Sequence, residues 1–411
     1  MTTVFVLGGA QTDFARNFAR EGLEIGDLFA EVVSGTLAEA QVEPGEIGTI
    51  HVGNAFGQLF TGQGHLGAMP ATMDHAFWGI PAARHEAACA SGSIAVLAAM
   101  AEIEAGRYES ALVIGAEQQR NVPGDIAAKH LGAAAWVGHE GQEARYMWPH
   151  MFDLLIDTYD ERYGVQYEHL AEIARTNLGN GKRNPNAHTR AWQFDDRSFS
   201  EDDHANPVIE GRVRRQDCGQ VTDGGAGVVL ASERFAAEHC ARHGRSIDSL
   251  PRITGWGHRT AALGYDAKVR RSEGQPYVLP HVRQAITDAF DRAGVADVHG
   301  IDGIETHDCF SMTEYMAIDH FGITAPGESW KAIEDGTIAH DGSLPVNPSG
   351  GLIGLGHPVG ATGVRMLLDA SKQVSNAAGD YQVDGASKFA TLNVGGSATT
   401  VVSFVVVGAD V

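Results

Sequence analysis

Short apolar runs alternate with helix-length amphipathic segments through the first 120 residues of this chain. The apolar runs Val4–Leu7, Ile50–Val52 and Leu112–Gly115 predict strands, because they are short and bounded by polar or glycine-containing segments. The longer segments Leu28–Ala40 and Ser93–Ala105 predict helices. This alternation of strands and helices is typical of βαβ units around a largely parallel sheet.

The second half of the chain repeats this scheme. In chain order, we expect a strand at Ile253–Trp256, a helix at Pro280–Ala293, a strand at Ile301–Thr306, a helix opening at His357, and strands near Phe389–Asn393 and Thr399–Val407. In both halves a glycine-rich turn leads into a valine-rich strand, at Gly224–Leu230 and at Gly395–Val407. We therefore expect a duplicated α/β unit, with one half at residues 1–245 and the other at 246–411.

Residues 121–206 interrupt the first half with a segment rich in Gly, His, Trp and Tyr. It contains one predicted helix, Glu168–Leu178, and a turn at Asn184–Ala187. We expect an inserted loop domain that handles the substrate.

The composition is that of a globular protein with a large core, since 43% of the 411 residues are hydrophobic and 20% are charged. The formal net charge of −22 argues against nucleic-acid binding and against docking on an anionic membrane. The apolar run Val401–Val407 is too short to span a bilayer, so we expect a buried strand there.

Four cysteines occur, Cys89, Cys218, Cys240 and Cys309, and their spacing fits neither a metal site nor a disulfide framework. Reduced thiols of this kind suit the cytosol. The apolar run Val4–Ala10 is too short for a signal peptide. We therefore expect a cytoplasmic protein.

Cys89 is the first candidate for chemistry. The extended segment Ala82–Ala88 passes at Cys89 into a predicted helix of small residues that ends at Gly106. A thiol at a helix N-terminus faces unpaired backbone N–H groups and the positive end of the helix dipole, which favour the thiolate. Taken alone, Cys89 is either such a nucleophile or a buried structural cysteine.

Three further segments add candidate chemistry: residues 307–310 (His-Asp-Cys-Phe), 356–363 (Gly-His-Pro-Val-Gly-Ala-Thr-Gly) and 393–397 (Asn-Val-Gly-Gly-Ser). Together with the Cys-Ala-Ser of residues 89–91, they resemble the thiolases, specifically the sterol-carrier-protein-type branch. The common branch has an Asn-Glu-Ala-Phe segment and a late Cys-x-Gly; here His-Asp-Cys-Phe and Asn393 stand in their places. The resemblance extends over most of the chain, and it implies a thiolase domain without the carrier-protein extension.

The resemblance implies a thiolase fold, with two similar βαβαβαββ halves in a layered α-β-α-β-α core. It implies an acyltransferase that makes or cleaves a 3-oxoacyl-CoA through an acyl-cysteine at Cys89. His357 is then the general base, Cys309 the second acid/base, and His307 a donor to the enolate oxygen together with His357. The backbone N–H groups of Cys89 and Gly395 would form a second oxyanion hole.

Coenzyme A is expected as substrate and product, and we expect no metal or redox cofactor. Arg183, Arg215 and Met151 are candidate contacts to coenzyme A. The resemblance also implies a homodimer or tetramer, with a role in fatty acid or sterol degradation. A small accessory protein is a further expected partner.

Two alternatives stay open from the sequence. One is a thiolase-like acyltransferase or retro-aldolase that works with a small partner subunit on a different acceptor or on a steroid-CoA. The other is a non-catalytic subunit that scaffolds a complex. Retention of Cys89, His307, Cys309 and His357 argues against the scaffold.

Overall fold

The computed structural model describes residues 3–409. Its strands are β1 (Val4–Gln11), β2 (Thr49–Gly53), β3 (Ala82–His85), β4 (Ser110–Glu117), β5 (Val208–Glu210), β6 (Val213–Arg214), β7 (Gly224–Ser232), β8 (Arg252–Thr260), β9 (Gly303–Thr306), β10 (Lys388–Gly395) and β11 (Thr400–Val407).

Helices cover both faces of the strands. They are α1 (Ile25–Ala40), α2 (Gly57–Thr61), α3 (Met69–Met73), α4 (Ser91–Glu104), α5 (Gly124–Leu131), α6 (Met147–Tyr163), α7 (Tyr167–Gly181), α8 (Glu233–Arg242), α9 (Tyr265–Arg271), α10 (Pro280–Ala293), α11 (Ser311–Phe321), α12 (Ser329–Glu334), α13 (Gly351–Gly354) and α14 (Thr362–Val374). Within residues 3–409, none of these helices is both long and apolar enough to cross a membrane.

Nine strands form one sheet in the order β3-β2-β4-β7-β1-β8-β11-β10-β9. The middle of the sheet is a narrow junction, since β1 and β8 share only the pairs Val4–Ile253 and Phe5–Arg252. Outward from this junction the two sides repeat each other. In each, two antiparallel pairings come first, β1 with β7 and β7 with β4 on one side and β8 with β11 and β11 with β10 on the other, and parallel strands follow.

The helices complete a layered α/β arrangement. Helices α4 and α14 contact each other, and their apolar side chains share one core cluster with residues of β1, β4, β7 and β11. Helix α1 packs on β1 and β7 within a second cluster, and α10 packs on β8 and β11 within a third. The expected thiolase fold class is confirmed, whereas the boundary at residues 245 and 246 stays a prediction.

Glycine allows the two central helices to touch at their first turns. A Cβ on Gly92 would lie 2.8 Å from the carbonyl oxygen of Gly360, and one on Gly363 would lie 2.3 Å from Ser93 Oγ. No side chain fits at these distances, so the first turns of the two helices contact each other through backbone atoms. The contact brings the segment after β3 close to the segment before α14.

Several expected elements lie where the sequence predicts them, and α10 has the predicted bounds. Among the helices that the sequence did not predict, α6 and α11 are the longest. Helix α6 carries Pro149 in its first turn, where proline is tolerated, and mixes aromatic and charged residues around its surface. Helix α11 is buried on every side, so it shows no amphipathic period that a sequence pattern could reveal.

Candidate active site

Cys89 lies in a tight turn between β3 and α4, next to a residue in the left-handed region. Ala88 has φ of 51°, a conformation that non-glycine residues rarely adopt. Three hydrogen bonds hold the turn. The Ser91 hydroxyl donates to the Ala88 carbonyl at 2.6 Å and accepts from Ala87 N–H at 2.9 Å, and the Glu86 carboxylate accepts from Ala88 N–H at 2.7 Å. The Cys-x-Ser spacing therefore fixes the direction of the thiol.

The expected thiolate at Cys89 is wrong for the resting protein. Helix α4 begins at Ser91, beyond the cysteine, and burial raises the pKa of Cys89 to about 12. Hydrogen bonds from backbone N–H groups, of Gly396 and of Cys89 itself, act in the opposite direction but are outweighed. Because the sulfur is held as a thiol, a neighbouring base must remove its proton before it can attack.

The glycine-rich turn after β10 packs directly on the Cys89 turn. A Cβ on Gly395 would lie 2.3 Å from the carbonyl oxygen of Ala87, so this position must be a glycine. The amide that reaches the sulfur of Cys89 is that of Gly396, one residue beyond the predicted Gly395. The turn thus presents backbone N–H groups to the place where a bond to sulfur would form.

A buried lysine holds this turn in place. Lys268 Nζ donates to the Ser397 carbonyl at 2.6 Å, to Ser397 Oγ at 2.7 Å and to Thr399 Oγ1 at 3.0 Å. Its burial lowers the pKa of Lys268 to about 8. The sequence does not reveal this role, because a single lysine carries no signal of a contact 129 residues away.

His357 precedes α14 in a loop, and the helix begins at Thr362 instead of at the predicted His357. The ring is anchored at Nδ1, which lies 2.7 Å from Thr362 Oγ1, and the Thr362 hydroxyl donates to the Pro358 carbonyl at 3.2 Å. Burial, reinforced by the charge of Arg365, lowers the pKa of His357 to about 3. The imidazole is therefore neutral and able to accept a proton.

His307 continues from β9 and is buried, with 1% of its surface exposed. Its backbone N–H donates to the Leu392 carbonyl at 2.8 Å, and its ring packs edge-on against His357 with centroids 5.2 Å apart. Burial is the main cause that puts the pKa of His307 well below its usual value, followed by the charges of His357 and Arg365. His307 is thus a second neutral imidazole beside the first.

Cys309 follows two residues later, with its Sγ 3.6 Å from Thr313 Oγ1. Burial, and then the nearby Cys89, raise its pKa well above that of a free thiol. Asp308 lies between His307 and Cys309 in the chain, and its carboxylate accepts hydrogen bonds from the backbone N–H groups of Leu352 and Ile353. Asp308 is therefore a structural residue that caps α13.

These segments meet at one cavity of about 660 Å³, which we call the central cavity. Cys89, Cys309, His357 and Gly396 line it, and His307 lies directly behind His357. One side-chain nitrogen or sulfur each of Cys89, His307 and His357 lies within 4.8 Å of the other two. The arrangement suits acyl transfer from sulfur, and its two nitrogens and one sulfur are also a donor set that zinc binds.

The rest of the central cavity is mostly apolar, with cations among its lining residues. The apolar lining includes Phe56, Val122, Leu131, Met147, Trp148, Phe152 and Phe310. Arg215, a candidate contact to coenzyme A, lines the cavity together with Arg20 and Arg120, which the sequence analysis did not single out. An elongated ligand with an apolar arm and an anionic end fits such a lining.

Two predicted contacts to coenzyme A do not line this cavity. Arg183 is exposed on the surface near His340. Met151 is buried in the core cluster of α6 and lines a separate closed void. Helix α6, absent from the prediction, explains the second case, because it turns Met151 inward while its neighbour Phe152 faces the central cavity. Cys218 also lines the cavity, and Cys240 is buried in another cluster.

A buried acidic cluster supports the segment that carries Cys309. Asn177 and Asn347 each donate a side-chain N–H to Glu314 Oε2 at 2.6 Å, and Asn177 also donates to Asp308 at 2.9 Å. Burial, followed by the charge of Asp308, raises the pKa of Glu314 to about 8. Burial likewise raises the pKa of Asp308 to about 6. Glu314 is therefore protonated at neutral pH.

We expect the Glu314→Gln variant to be more resistant to alkaline unfolding than the wild type. A carboxyl whose folded pKa is raised stabilises fully below its unfolded pKa of about 4.3, and this stabilisation is lost as pH rises through about 8. Between about pH 5 and 9 the wild type should lose on the order of 2–4 kcal/mol from this group. Glutamine stays neutral and keeps its acceptor oxygen for both asparagines.

Urea unfolding at a series of pH values measures this difference. Glu328→Gln is the matched control, because Glu328 is exposed and paired with Lys331 on the surface. Parallel pH dependences of the wild type and Glu314→Gln would contradict the protonated state of Glu314.

Two protein-family models match this chain, one in its N-terminal half and one in its C-terminal half. The model described as "Thiolase, N-terminal domain" matches residues 4–196, and the one described as "Thiolase C-terminal domain-like" matches residues 268–407. An acetyl-CoA acetyltransferase of Methanothermobacter thermautotrophicus is 30% identical over 401 residues, which covers 97% of this chain and 98% of the relative.

Human sterol carrier protein 2 is 27% identical over 424 residues, covering 98% of this chain and 72% of that protein. Among solved structures, an assembly named Ltp2-ChsH2(DUF35) aldolase superposes with a TM-score of 0.76 at 18% identity, covering 100% of this chain and 99% of the other. At 18% identity the superposition shows that the two chains share a fold.

Proposed function

Because this chain belongs to the thiolase superfamily and is an acyltransferase, we propose that it makes or cleaves a 3-oxoacyl-CoA through an acyl-cysteine at Cys89. One observation carries the proposal. Cys89, Cys309 and His357, which come from three distant parts of the sequence, line the same cavity with His307 directly behind. A nucleophile, a base, a second acid/base and oxyanion donors are therefore within reach of one substrate.

In the cleavage direction, His357 removes the proton of the Cys89 thiol, and the sulfur attacks the 3-oxo carbon of the substrate. Backbone N–H groups of Cys89 and of the Gly395–Gly396 turn stabilise the oxyanion that forms. Such donors contribute about 3–4 kcal/mol each in acyl-transfer enzymes. The bond between C2 and C3 then breaks, which leaves an acyl group on Cys89 and the enolate of acetyl-CoA.

The enolate oxygen accepts N–H groups from His307 and from the protonated His357. The Cys309 thiol gives its proton to the enolate carbon, and acetyl-CoA leaves. The Cys309 thiolate then takes the proton of an incoming CoA thiol, whose sulfur attacks the acyl-Cys89 carbonyl. The Cys89 thiolate departs and recovers its proton from His357, so protons and thiols balance. Condensation is the same sequence in reverse.

We assign the phosphate end of coenzyme A to the arginines of the central cavity. Arg20, Arg120 and Arg215 are cations on a chain of net charge −22, and all three line the same cavity as Cys89. Guanidinium groups bind phosphates through paired N–H donors. The name of the archaeal relative, acetyl-CoA acetyltransferase, supports an acetyl unit as one of the acyl groups. That of the human relative, sterol carrier protein 2, supports a role in lipid metabolism.

We propose that the chain works as a homodimer through its edge strand β3. Within residues 3–409, β3 pairs with β2 alone and leaves its other edge free. Ala82 and Ala83 on this strand are exposed. An open edge with exposed residues favours strand addition by a second copy. Since the Cys89 turn follows β3 directly, the partner would lie close to the central cavity.

The mass of the intact protein after brief incubation with acyl-CoA esters tests the function. We expect wild type to gain the mass of the acyl group with acetyl-CoA or with a 3-oxoacyl-CoA, and Cys89→Ala to gain none. Incubation in EDTA should leave the increment unchanged, because the reaction uses the Cys89 sulfur without a metal.

The longest ester that labels the protein identifies the acyl chain that fits the cavity. If folded wild-type protein gains no mass with any ester, the acyl-enzyme is refuted. Labelling that appears only after a small partner protein is added would favour the partner-dependent alternative. Labelling abolished by a chelator would instead favour a metal at Cys89, His307 and His357.

A further inference from the structure

The two histidines of the site are held by different partners at the same ring nitrogen. Each has its Nδ1 in a hydrogen bond, and each has a buried Nε2 without a partner among residues 3–409. In a neutral imidazole one nitrogen carries the hydrogen and the other accepts. The partner of Nδ1 therefore decides whether the free Nε2 of each ring donates or accepts.

His357 is held with its Nε2 as an acceptor. The Thr362 hydroxyl has one hydrogen, which it donates to the Pro358 carbonyl at 3.2 Å. It must therefore accept from Nδ1–H of His357, 2.7 Å away. The free Nε2 of His357 is left with a lone pair, which is what a base for the Cys89 thiol requires.

His307 is held the other way round, by Asn393. The Nδ2 group of Asn393 lies 3.2 Å from His307 Nδ1, and a side-chain amide nitrogen can only donate. Nδ1 of His307 then accepts, so Nε2 must carry the hydrogen. That hydrogen is the one the proposed oxyanion role needs.

Ser93 decides which end of the Asn393 amide faces His307. The Ser93 hydroxyl, 1% exposed, donates to Asn393 Oδ1 at 2.8 Å. Within the described part of the chain this hydroxyl has no other acceptor. If the Asn393 amide were flipped, the buried O–H of Ser93 would therefore have no hydrogen-bond partner to donate to. Because Ser93 is in the first turn of α4 and Asn393 is in β10, the contact between the two halves sets this orientation.

We propose that Asn393, oriented by Ser93, is a positioning residue that fixes His307 with its hydrogen on Nε2, opposite to the form in which Thr362 fixes His357. The inference rests on the proposed function for its catalytic meaning, although the hydrogen positions themselves do not depend on it. A proton acceptor and a proton donor then lie side by side next to the Cys89 sulfur. The neutral state that burial imposes on both rings keeps these roles distinct.

Asn393→Asp reverses the direction of the hydrogen bond to His307 Nδ1, because it replaces the amide donor by a carboxylate acceptor of nearly the same shape. The new carboxylate still accepts from Ser93 but can only accept from His307, so the hydrogen moves to Nδ1 and Nε2 loses it. We expect kcat for cleavage of a 3-oxoacyl-CoA to fall about 100- to 1,000-fold, the usual loss for one oxyanion donor. KM should stay within about 3-fold, and labelling of Cys89 by acetyl-CoA should persist, because the backbone donors serve that step.

Two readouts separate positioning from a merely structural role. Nitrogen-15 spectra of histidine-labelled protein, assigned by loss of the His307→Gln signal, should place the hydrogen on Nε2 in wild type and on Nδ1 in Asn393→Asp. The activity of Asn393→Asp should rise as pH falls, because a protonated carboxyl donates to Nδ1 as the amide does. The wild type should not show this rise.

Ser93→Ala is a second, milder variant that removes only the hydroxyl orienting the amide. It should lower kcat about 10-fold, whereas Ser371→Ala should leave it unchanged, because the hydroxyl of this buried serine donates to the Leu367 carbonyl within α14. Hydrogen on Nδ1 of His307 in wild type, or full activity of Asn393→Asp, would overturn the proposal. If wild type forms no acyl-enzyme, the proposed function fails while the spectra still decide the hydrogen position.

Discussion

Cys89→Ala is expected to lower kcat for cleavage of a 3-oxoacyl-CoA by about 10⁴- to 10⁶-fold, the range seen when a covalent nucleophile is removed. In the proposed reaction the sulfur is the atom that carries the acyl group between two substrates, so without it the ping-pong route has no intermediate. The cavity, the arginines and the backbone donors remain. KM should therefore change little, and the remaining rate should be that of bound but unactivated substrates.

Cys218→Ala is the matched control for this loss. Cys218 lines the same cavity, but its Sγ lies 3.3 Å from the Arg214 carbonyl, and burial raises its pKa well above that of a free thiol. We expect its kcat to stay within about 3-fold of the wild type. A steady-state assay of acetyl-CoA release measures both variants. Retention of more than about 1% of activity by Cys89→Ala would show that another group carries the reaction.

Cys309→Ala is expected to separate the two half-reactions. In the proposed mechanism, transfer of an acetyl group from acetyl-CoA to Cys89 breaks no carbon–carbon bond, and Cys309 serves it only by returning a proton to the departing CoA thiolate. Because a thiolate can leave without that proton, this transfer should slow by no more than about 10-fold. Cleavage and condensation need an acid/base at the α-carbon and should slow by about 10²- to 10⁴-fold, the usual contribution of general acid–base catalysis.

Single-turnover mass measurements detect the first step, and a thiolysis assay detects the second. Cys240→Ala is the control for removing a buried thiol, because Cys240 lies in a core cluster away from the central cavity. Equal losses of both half-reactions in Cys309→Ala would mean that the substitution disturbs the Cys89 site. Unchanged cleavage would assign the acid/base role to a different group.

The sequence predicted the elements with strong local patterns. Helix α10 has an amphipathic face and a proline at its first position, and β11 is a run of apolar residues. Both patterns depend on residues a few positions apart, so they can be read along the chain. Helix α11 is buried on all sides and α6 mixes aromatic with charged residues, so neither has a local period that signals a helix.

The sequence predicted the reactive side chains of the candidate site better than it predicted the ligand contacts. Residue type and spacing singled out Cys89, His307, Cys309 and His357, and these segments lie together around the central cavity. The sequence did not give the ligand contacts, because the position of an arginine along the chain does not show whether it faces a cavity. Arg183 was a predicted contact but lies on the surface.

The sequence by itself determined the family and the fold class and singled out candidate reactive side chains, because motifs are local and their chemistry belongs to the residue types. Only the tertiary structure decided their protonation. Burial turns Cys89 into a thiol and both histidines into neutral rings. The residues that orient His307 come from distant parts of the chain, since Ser93 and Asn393 are 300 residues apart. Desolvation and hydrogen-bond polarity depend on what surrounds an atom, and those surroundings exist only once the two halves have packed.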